Sequence, residues 1–209
     1  MTRRSWPGEV FDRLYAADPD PWRYETSDYE RAKYAATLAA LPTGPIGDAL
    51  ELACSIGVMT RQLAPRCRSL LSVDGAASAL ERAATRCAEL RNVSFRHARL
   101  PEELPAAPPG GWSLAVISEL LYFLSPDDID RLADGVAAGC APEASILLVN
   151  WLGETDTPCT GEEAATFFLA RAREHGFHCT MTTRGGTGAS DGRPSEGYRL
   201  DRLDRHPSG

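Results

Sequence analysis

Two segments of this chain carry residue types that can grip a small organic ligand. Asp48-Ala-Leu-Glu-Leu-Ala-Cys-Ser-Ile-Gly57 reads as a buried strand running into a glycine turn and then a helix. Leu70-Leu-Ser-Val-Asp74 reads as a second strand that ends in an acid. In this order, about one βαβ unit apart, they form a layout for holding an adenosine. Backbone N–H groups at the turn face the ligand, and the acid accepts hydrogen bonds from ribose hydroxyls. The competing reading is an ordinary strand–turn–helix with no ligand.

The missing residues narrow the ligand. A dinucleotide fingerprint needs several glycines so that the backbone can approach a pyrophosphate. The turn Ala53-Cys54-Ser55-Ile56-Gly57 has one glycine. No glycine-rich loop ends in Gly-Lys-Ser or Gly-Lys-Thr, which excludes a P-loop. A nucleoside without phosphates fits, and S-adenosylmethionine (SAM) is the common one.

The elements that must position these residues alternate. Strands are expected over 48–53, 69–74, 92–97, 113–117 and 144–150, and helices over 58–66, 77–89, 127–140 and 161–175. Alternation of this kind gives a Rossmann-like α/β fold, a mostly parallel sheet with helices on both faces. Leu114-Ala-Val-Ile117 and Ile146-Leu-Leu-Val149 are continuous apolar runs, as strands covered on both faces require. The chain then changes character. Phe177 to Thr183 and Gly197 to Leu203 read as an antiparallel C-terminal hairpin, and Gly185–Gly192 between them as a mobile turn, either a flap or a disordered loop. Before the first strand lies an N-terminal helical cap, 1–44. Residues 1–8 read as a loose tail. A short helix around Val10 and Leu14 is stopped by Asp18-Pro-Asp-Pro21, and a second runs from Ser27 or Asp28 to Leu41.

The composition, 209 residues with 43% hydrophobic and 24% charged, suits one domain over 1–209, its core in 45–209. The net charge of −7 comes with no basic stripe, which disfavours nucleic acid. It suits a cationic cofactor or an amine substrate, and is also ordinary for solubility. Six scattered cysteines form no C-x-x-C pair, and the four histidines make no cluster with them, so neither a metal nor a disulfide framework is expected. Without a signal segment or a long apolar run, no membrane partner and a cytoplasmic location are expected.

At this point the chain resembles class I SAM-dependent methyltransferases, and within them the small nodulation-protein-S-like group. The likeness rests on Phe11-Asp-Arg-Leu-Tyr15, Asp20-Pro-Trp-Arg23, Tyr29-Glu-Arg-Ala-Lys-Tyr34, Glu51 with Cys54-Ser-Ile-Gly57, Asp74, and Ser118-Glu-Leu-Leu-Tyr-Phe-Leu124. Asn150-Trp-Leu-Gly153, Thr160-Gly-Glu-Glu163 and Tyr198-Arg-Leu-Asp201 extend it. The resemblance implies a seven-stranded sheet with an antiparallel last strand. It implies methyl transfer from SAM, leaving S-adenosylhomocysteine (SAH), to a small polar acceptor. An amine of a sugar-like or secondary metabolite is the foremost acceptor. The namesake proteins methylate an amine on an amino-sugar oligomer. Three positions depart from the family pattern: Ala53 stands where glycine is usual, Arg99 aligns near an adenine-side acid, and Asn150 replaces a histidine of some relatives.

The resemblance implies a cofactor set. Glu51, Ala53, Cys54, Ser55 and Gly57 form the turn, Asp74 and Gly75 the second strand end, Arg99 and Leu100 the adenine side, and Ser118 the fourth strand end. Trp22 and Tyr29 either close as a lid, since aromatic faces attract a sulfonium, or simply pack the N-terminal helix onto the sheet. Arg31 and Lys33 either meet the methionine carboxylate or lie on a solvated helix face. On the acceptor side stand Glu119, Tyr122 and Asn150. Glu119 either orients or deprotonates the acceptor, or sits in the first turn of a helix. Tyr122 either touches substrate or packs in the core. Asn150 is expected to meet the acceptor, Trp151 to pack. The competing function is a protein of the same fold that binds a ligand without methyl transfer, or runs a rearrangement or cyclisation. Monomer and homodimer both remain open.

Overall fold

The computed structural model describes residues 3–190 and 193–206. Its strands are β1 (Ile46–Leu52), β2 (Cys67–Asp74), β3 (Val93–His97), β4 (Trp112–Ser118), β5 (Cys140–Trp151), β6 (His178–Ser190) and β7 (Arg193–Arg205). They form one seven-stranded sheet in the order β3-β2-β1-β4-β5-β7-β6. The first five strands run parallel, and β7 lies antiparallel between β5 and β6. The expected Rossmann-like sheet with its antiparallel hairpin is therefore present. Successive side chains of the central strands go to opposite faces, which is why their sequences are apolar throughout. Leu114 and Val116 join one core with Tyr34, Met59 and Leu63, while Ala115 and Ile117 join the other with Leu132 and Phe168.

The helices are α1 (Gly8–Ala17), α2 (Asp28–Ala39), α3 (Val58–Leu63, prolonged by a 3-10 turn over Ala64–Arg66), α4 (Ala77–Arg86), α5 (Pro126–Gly139) and α6 (Gly161–Glu174). Their starts are written in side chains. Ser27 Oγ accepts from the Glu30 N–H in α2, and Ser125 Oγ from the Asp128 N–H in α5. Thr160 and Glu163 form a reciprocal capping box at α6.

Two expectations are corrected. The segment before α1 is no loose tail where it is described. The Trp6 N–H donates to the Phe123 carbonyl at 2.9 Å, and the Trp6, Phe11 and Phe123 rings form one cluster. Nor do residues 185–190 form a turn. β6 continues to Ser190, and of the expected Gly185–Gly192 turn only 191–192 fall outside the described residues. The glycines there make room for rings. A Cβ on Gly185 would lie 2.7 Å from the Tyr198 hydroxyl, and one on Gly186 would lie 2.4 Å from the Tyr29 ring.

Gly57 fixes how the first turn meets the next βα unit. It has φ 78°, and a Cβ there would lie 2.9 Å from Ala83 Cα in α4. Gly57→Ala is expected to lower the unfolding free energy by about 3 kcal/mol, from left-handed strain and overpacking together. Urea denaturation reads this as a lower midpoint with an unchanged slope; an unchanged midpoint contradicts the close packing.

Candidate functional site

In an open parallel sheet, ligands bind beyond the carboxyl ends of the strands, where the strand order reverses. Here the reversal lies between β1 and β4. A cavity of about 420 Å³ opens there, within the range of small-molecule sites. Ala53 and Ser55 follow β1, Asp74 and Gly75 close β2, Ala98 to Leu100 follow β3, and Ser118 and Glu119 close β4. The N-terminal cap supplies the roof through Trp6, Phe11, Tyr15, Trp22 and Tyr24.

Asp74 organises this edge. Its carboxylate accepts from the Ser55 N–H at 2.7 Å and from the Ala76 N–H at 2.9 Å, so it ties the first turn to the second. Burial raises its carboxyl above the ordinary aspartate range, against the lowering effect of those two amides. The Tyr15 hydroxyl bonds Ser55 Oγ, which hangs α1 on the same turn. Ala53 has φ 61°, Ser55 50° and Glu119 55°, all in the left-handed region that favours glycine. Strain of this kind persists where packing over-determines it, and it clusters at ligand sites.

A second cavity of about 440 Å³ lies beneath α2. Tyr29, Glu30, Lys33, Tyr122, Trp151 and Thr155 wall it, and it shares Trp6, Trp22, Tyr24, Glu119 and Phe123 with the first. The Asp20-Pro-Trp segment shapes the shared wall. Asp20 accepts from the Tyr24 N–H at 2.8 Å and the Glu25 N–H at 3.0 Å, and this turn stacks Trp22 on Tyr24 at 5.7 Å.

The buried stripe of α2 is Glu30, Lys33, Tyr34 and Thr37, the spacing that normally carries apolar residues. Lys33 Nζ donates to Glu30 Oε1 at 2.9 Å and to Glu119 Oε1 at 2.7 Å. Glu119 Oε2 accepts from the Tyr122 hydroxyl at 2.6 Å and the Trp151 N–H at 3.1 Å. Burial alone would lower the Lys33 ammonium, but the Glu119 and Glu30 carboxylates reverse that and hold it above the ordinary lysine range. Burial raises the Glu30 carboxyl, opposed by Lys33.

The expected residues distribute unevenly. Trp22, Ala53, Ser55, Asp74, Gly75, Arg99, Leu100 and Ser118 share the first cavity, and Glu119 and Tyr122 meet at the second. Arg99 lies at the mouth, exposed, 3.9 Å from Glu9. Tyr29 walls the second cavity, not the first, because α2 carries it toward β6 and Tyr198. Arg31 is in neither wall. It falls on the outer face of α2, where its guanidinium meets Asp28 and the Thr26 carbonyl. Gly57 and Cys54 act through the backbone, the Cys54 N–H donating to the Val73 carbonyl at 3.0 Å. Asn150 is corrected outright. Strand alternation turns it to the side of Ile146 and Leu148, fully buried, with neither amide atom bonded. Glu30 is the functional candidate that the sequence reading missed. Its signal was a charged pair, Glu30 and Lys33, on the helix face that has to be buried.

Glu51 also lies outside the first cavity. It is buried under the turn, where Oε2 accepts from Thr60 Oγ1 and Ser72 Oγ, both at 2.7 Å. Burial pushes its carboxyl up to about 7, against those two hydroxyls. Among the described residues, no group of His, Cys, Asp and Glu could hold a metal ion, and no helix is long and apolar enough to cross a membrane.

The sequence model of one protein family, Nodulation protein S (NodS), matches residues 9–138. Nodulation protein S of Rhizobium tropici is 33% identical over 132 residues, 61% of this chain and 52% of that protein. Its namesake from Bradyrhizobium diazoefficiens is 32% identical over 117 residues, 56% of this chain and 54% of that protein. The chain thus spans about half the length of the curated relatives it matches. Among solved structures, the N-methyltransferase NodS from Bradyrhizobium japonicum WM9 in complex with SAH is similar in fold. Its TM-score is 0.78 at 22% identity, over 94% of this chain and 97% of that one. A putative methyltransferase from Pseudomonas syringae has a TM-score of 0.68 at 29% identity, over 85% of this chain and 99% of that one.

Two outcomes follow from the turn. Ala53→Gly is expected to stabilise the fold by about 1 kcal/mol, relief of left-handed strain exceeding the entropy that glycine adds to the unfolded chain. Equal or lower stability in urea contradicts a strained alanine. For Glu51 the folded carboxyl titrates above the unfolded one, so folding favours its protonated form. Its contribution is fully present below the ordinary carboxyl range and is lost as the pH rises toward about 7. Glu51→Gln is therefore expected to flatten the fall in stability between about pH 5 and pH 8, and to gain about 3 kcal/mol at the upper end. Parallel pH profiles of the two proteins contradict this.

Proposed function

Because the chain belongs to the nodulation protein S family, we propose that it transfers the methyl group of SAM to a small polar acceptor, an amine foremost. The observation that carries this reading is the junction at Glu119. One cavity has a nucleoside-binding layout, the other is aromatic and charged, and they share a wall.

The residues present fit SAM. Asp74 faces the cavity at the end of β2, where it would take the ribose hydroxyls. Ala53 and Ser55 bring backbone to the methionine side, and Arg99 and Leu100 border the adenine side. Trp22 and Tyr24 offer ring faces to a cation. When bound, SAM supplies an electrophilic methyl group on a sulfonium. The chain contributes position: collinear approach of the acceptor is worth a large part of such a rate. The Trp6, Phe11 and Phe123 cluster over the first cavity keeps water out. In this reading the segment before β1 caps a single catalytic domain of a cytoplasmic enzyme that needs no metal.

Calorimetry with SAM and with SAH is expected to show binding in the micromolar range. Asp74→Asn is expected to weaken it at least about tenfold, since one acceptor oxygen becomes a donor. Labelled methyl should then reach small amines. No binding of either nucleoside overturns the proposal. Binding without transfer to any amine or hydroxyl acceptor favours a ligand-binding or rearrangement role.

A further inference from the structure

The second cavity holds an unbalanced charge. Its walls carry two carboxylates, Glu30 and Glu119, against the one ammonium of Lys33. The two carboxylates are not equivalent. Glu119 has a donor on each oxygen, Lys33 on one and Tyr122 and the Trp151 N–H on the other. Glu30 gives Oε1 to Lys33, and its Oε2 is buried with no partner. The residue is 6% exposed. The neighbouring Tyr29 hydroxyl is also buried and unpartnered. A buried carboxylate oxygen without a donor is costly, and a cation carrying N–H groups removes that cost. The aromatic walls, Trp22, Tyr24, Tyr29 and Trp151 among them, favour a cation for a second reason.

We propose that the second cavity binds its acceptor as an ammonium ion, held through Glu30, and that Glu30 takes the proton which frees the amine. This rests on the methyl-transfer reading and adds to it the charge state of the acceptor and the residue that meets it. The step balances. An N–H bond of the ammonium breaks, an O–H bond forms on the Glu30 carboxylate, and nitrogen keeps the electron pair. No other reactant is needed, and the proton returns to solvent when the site opens. Burial raises the Glu30 carboxyl above the ordinary glutamate range, which suits it to take a proton. Glu119 is then a positioning residue: it fixes Lys33, and Lys33 fixes Glu30.

The cavity walls include Trp6, Trp22 and Trp151, so occupancy can be followed by tryptophan fluorescence. The probes are n-butylammonium and its neutral counterpart n-butanol, titrated at pH 7 into the full chain with and without SAH. The wild-type protein is expected to bind the ammonium at least about tenfold more tightly than the alcohol. Glu30→Gln is expected to abolish that preference, while SAH affinity stays within about threefold. Asp28→Asn, on the exposed outer face of α2, is expected to leave the preference intact. Equal affinity for the two probes in wild type, binding of neither, or a preference that survives Glu30→Gln each overturns the proposal. The wild-type comparison decides the matter even if the variant fails to fold. Failure of SAH to bind counts against the cofactor reading alone, because the probe titration is also run without SAH.

Discussion

The site depends on Lys33 being buried between two carboxylates. Taking such charges out of water costs several kcal/mol per ion, and only close, well-aligned partners repay it. Lys33 is 2% exposed, and Glu30 and Glu119 both reach it within hydrogen-bond distance. Glu30 belongs to α2 and Glu119 to the end of β4, so the ion cluster ties the N-terminal cap to the sheet. Apolar packing would have bound the two more simply. An apolar seam, however, would tolerate sliding, whereas the bond from Lys33 to Glu119 defines where α2 sits, and Glu30 holds Lys33 in line for it. The second cavity exists because α2 is held at that position, with Tyr29 and Glu30 over the strand ends.

The same carboxyl edge stores backbone strain. Ala53 and Ser55 beyond β1 and Glu119 beyond β4 are all left-handed, and Asp74 and Lys33 supply the bonds that hold two of them there. Glycine would relax Ala53, because it adopts a left-handed backbone at no steric cost. Glu119 cannot be relaxed in the same way without losing the carboxylate that anchors Lys33. Strain and ion cluster are therefore one construction: the bonds made by the Glu119 side chain offset the unfavourable backbone that presents it.

The sheet was legible because its strands obey a simple rule. Leu114 to Ile117 and Ile146 to Val149 are apolar on both faces, and only a strand covered on both sides needs that. Asp74 was legible because the glycine turn and the acid recur at a fixed interval. What escaped was set by facing and by context. Asn150 has the right chemistry on the wrong side of its strand, and a one-residue offset decides that. Gly185 and Gly186 read as a turn because glycine marks turns, yet here they yield space to Tyr198 and Tyr29. Lys33 read either as a partner of the methionine carboxylate or as a solvated charge, and Glu30 drew no reading of its own. Their positions three apart, in line with Tyr34 and Thr37, were visible, but only the sheet beneath α2 decides that this stripe is the buried one.

Beyond the wall they share, the two cavities draw on different parts of the chain. Asp74, Ala53 and Leu100 come from strand ends whose geometry the hydrogen-bonded sheet dictates. Tyr29, Glu30 and Lys33 come from a helix that the sheet merely supports. On the inner face of α2, Tyr29 and Glu30 wall the second cavity, whereas Tyr34 packs in one core with Ala49 of β1 and Leu70 of β2. Glu119 is the exception, since it belongs to both walls and to the ion cluster. Altering it would move Lys33, free Glu30 and reshape the junction together. One side chain, Glu119, thus shapes both cavities, and a change there reaches both at once.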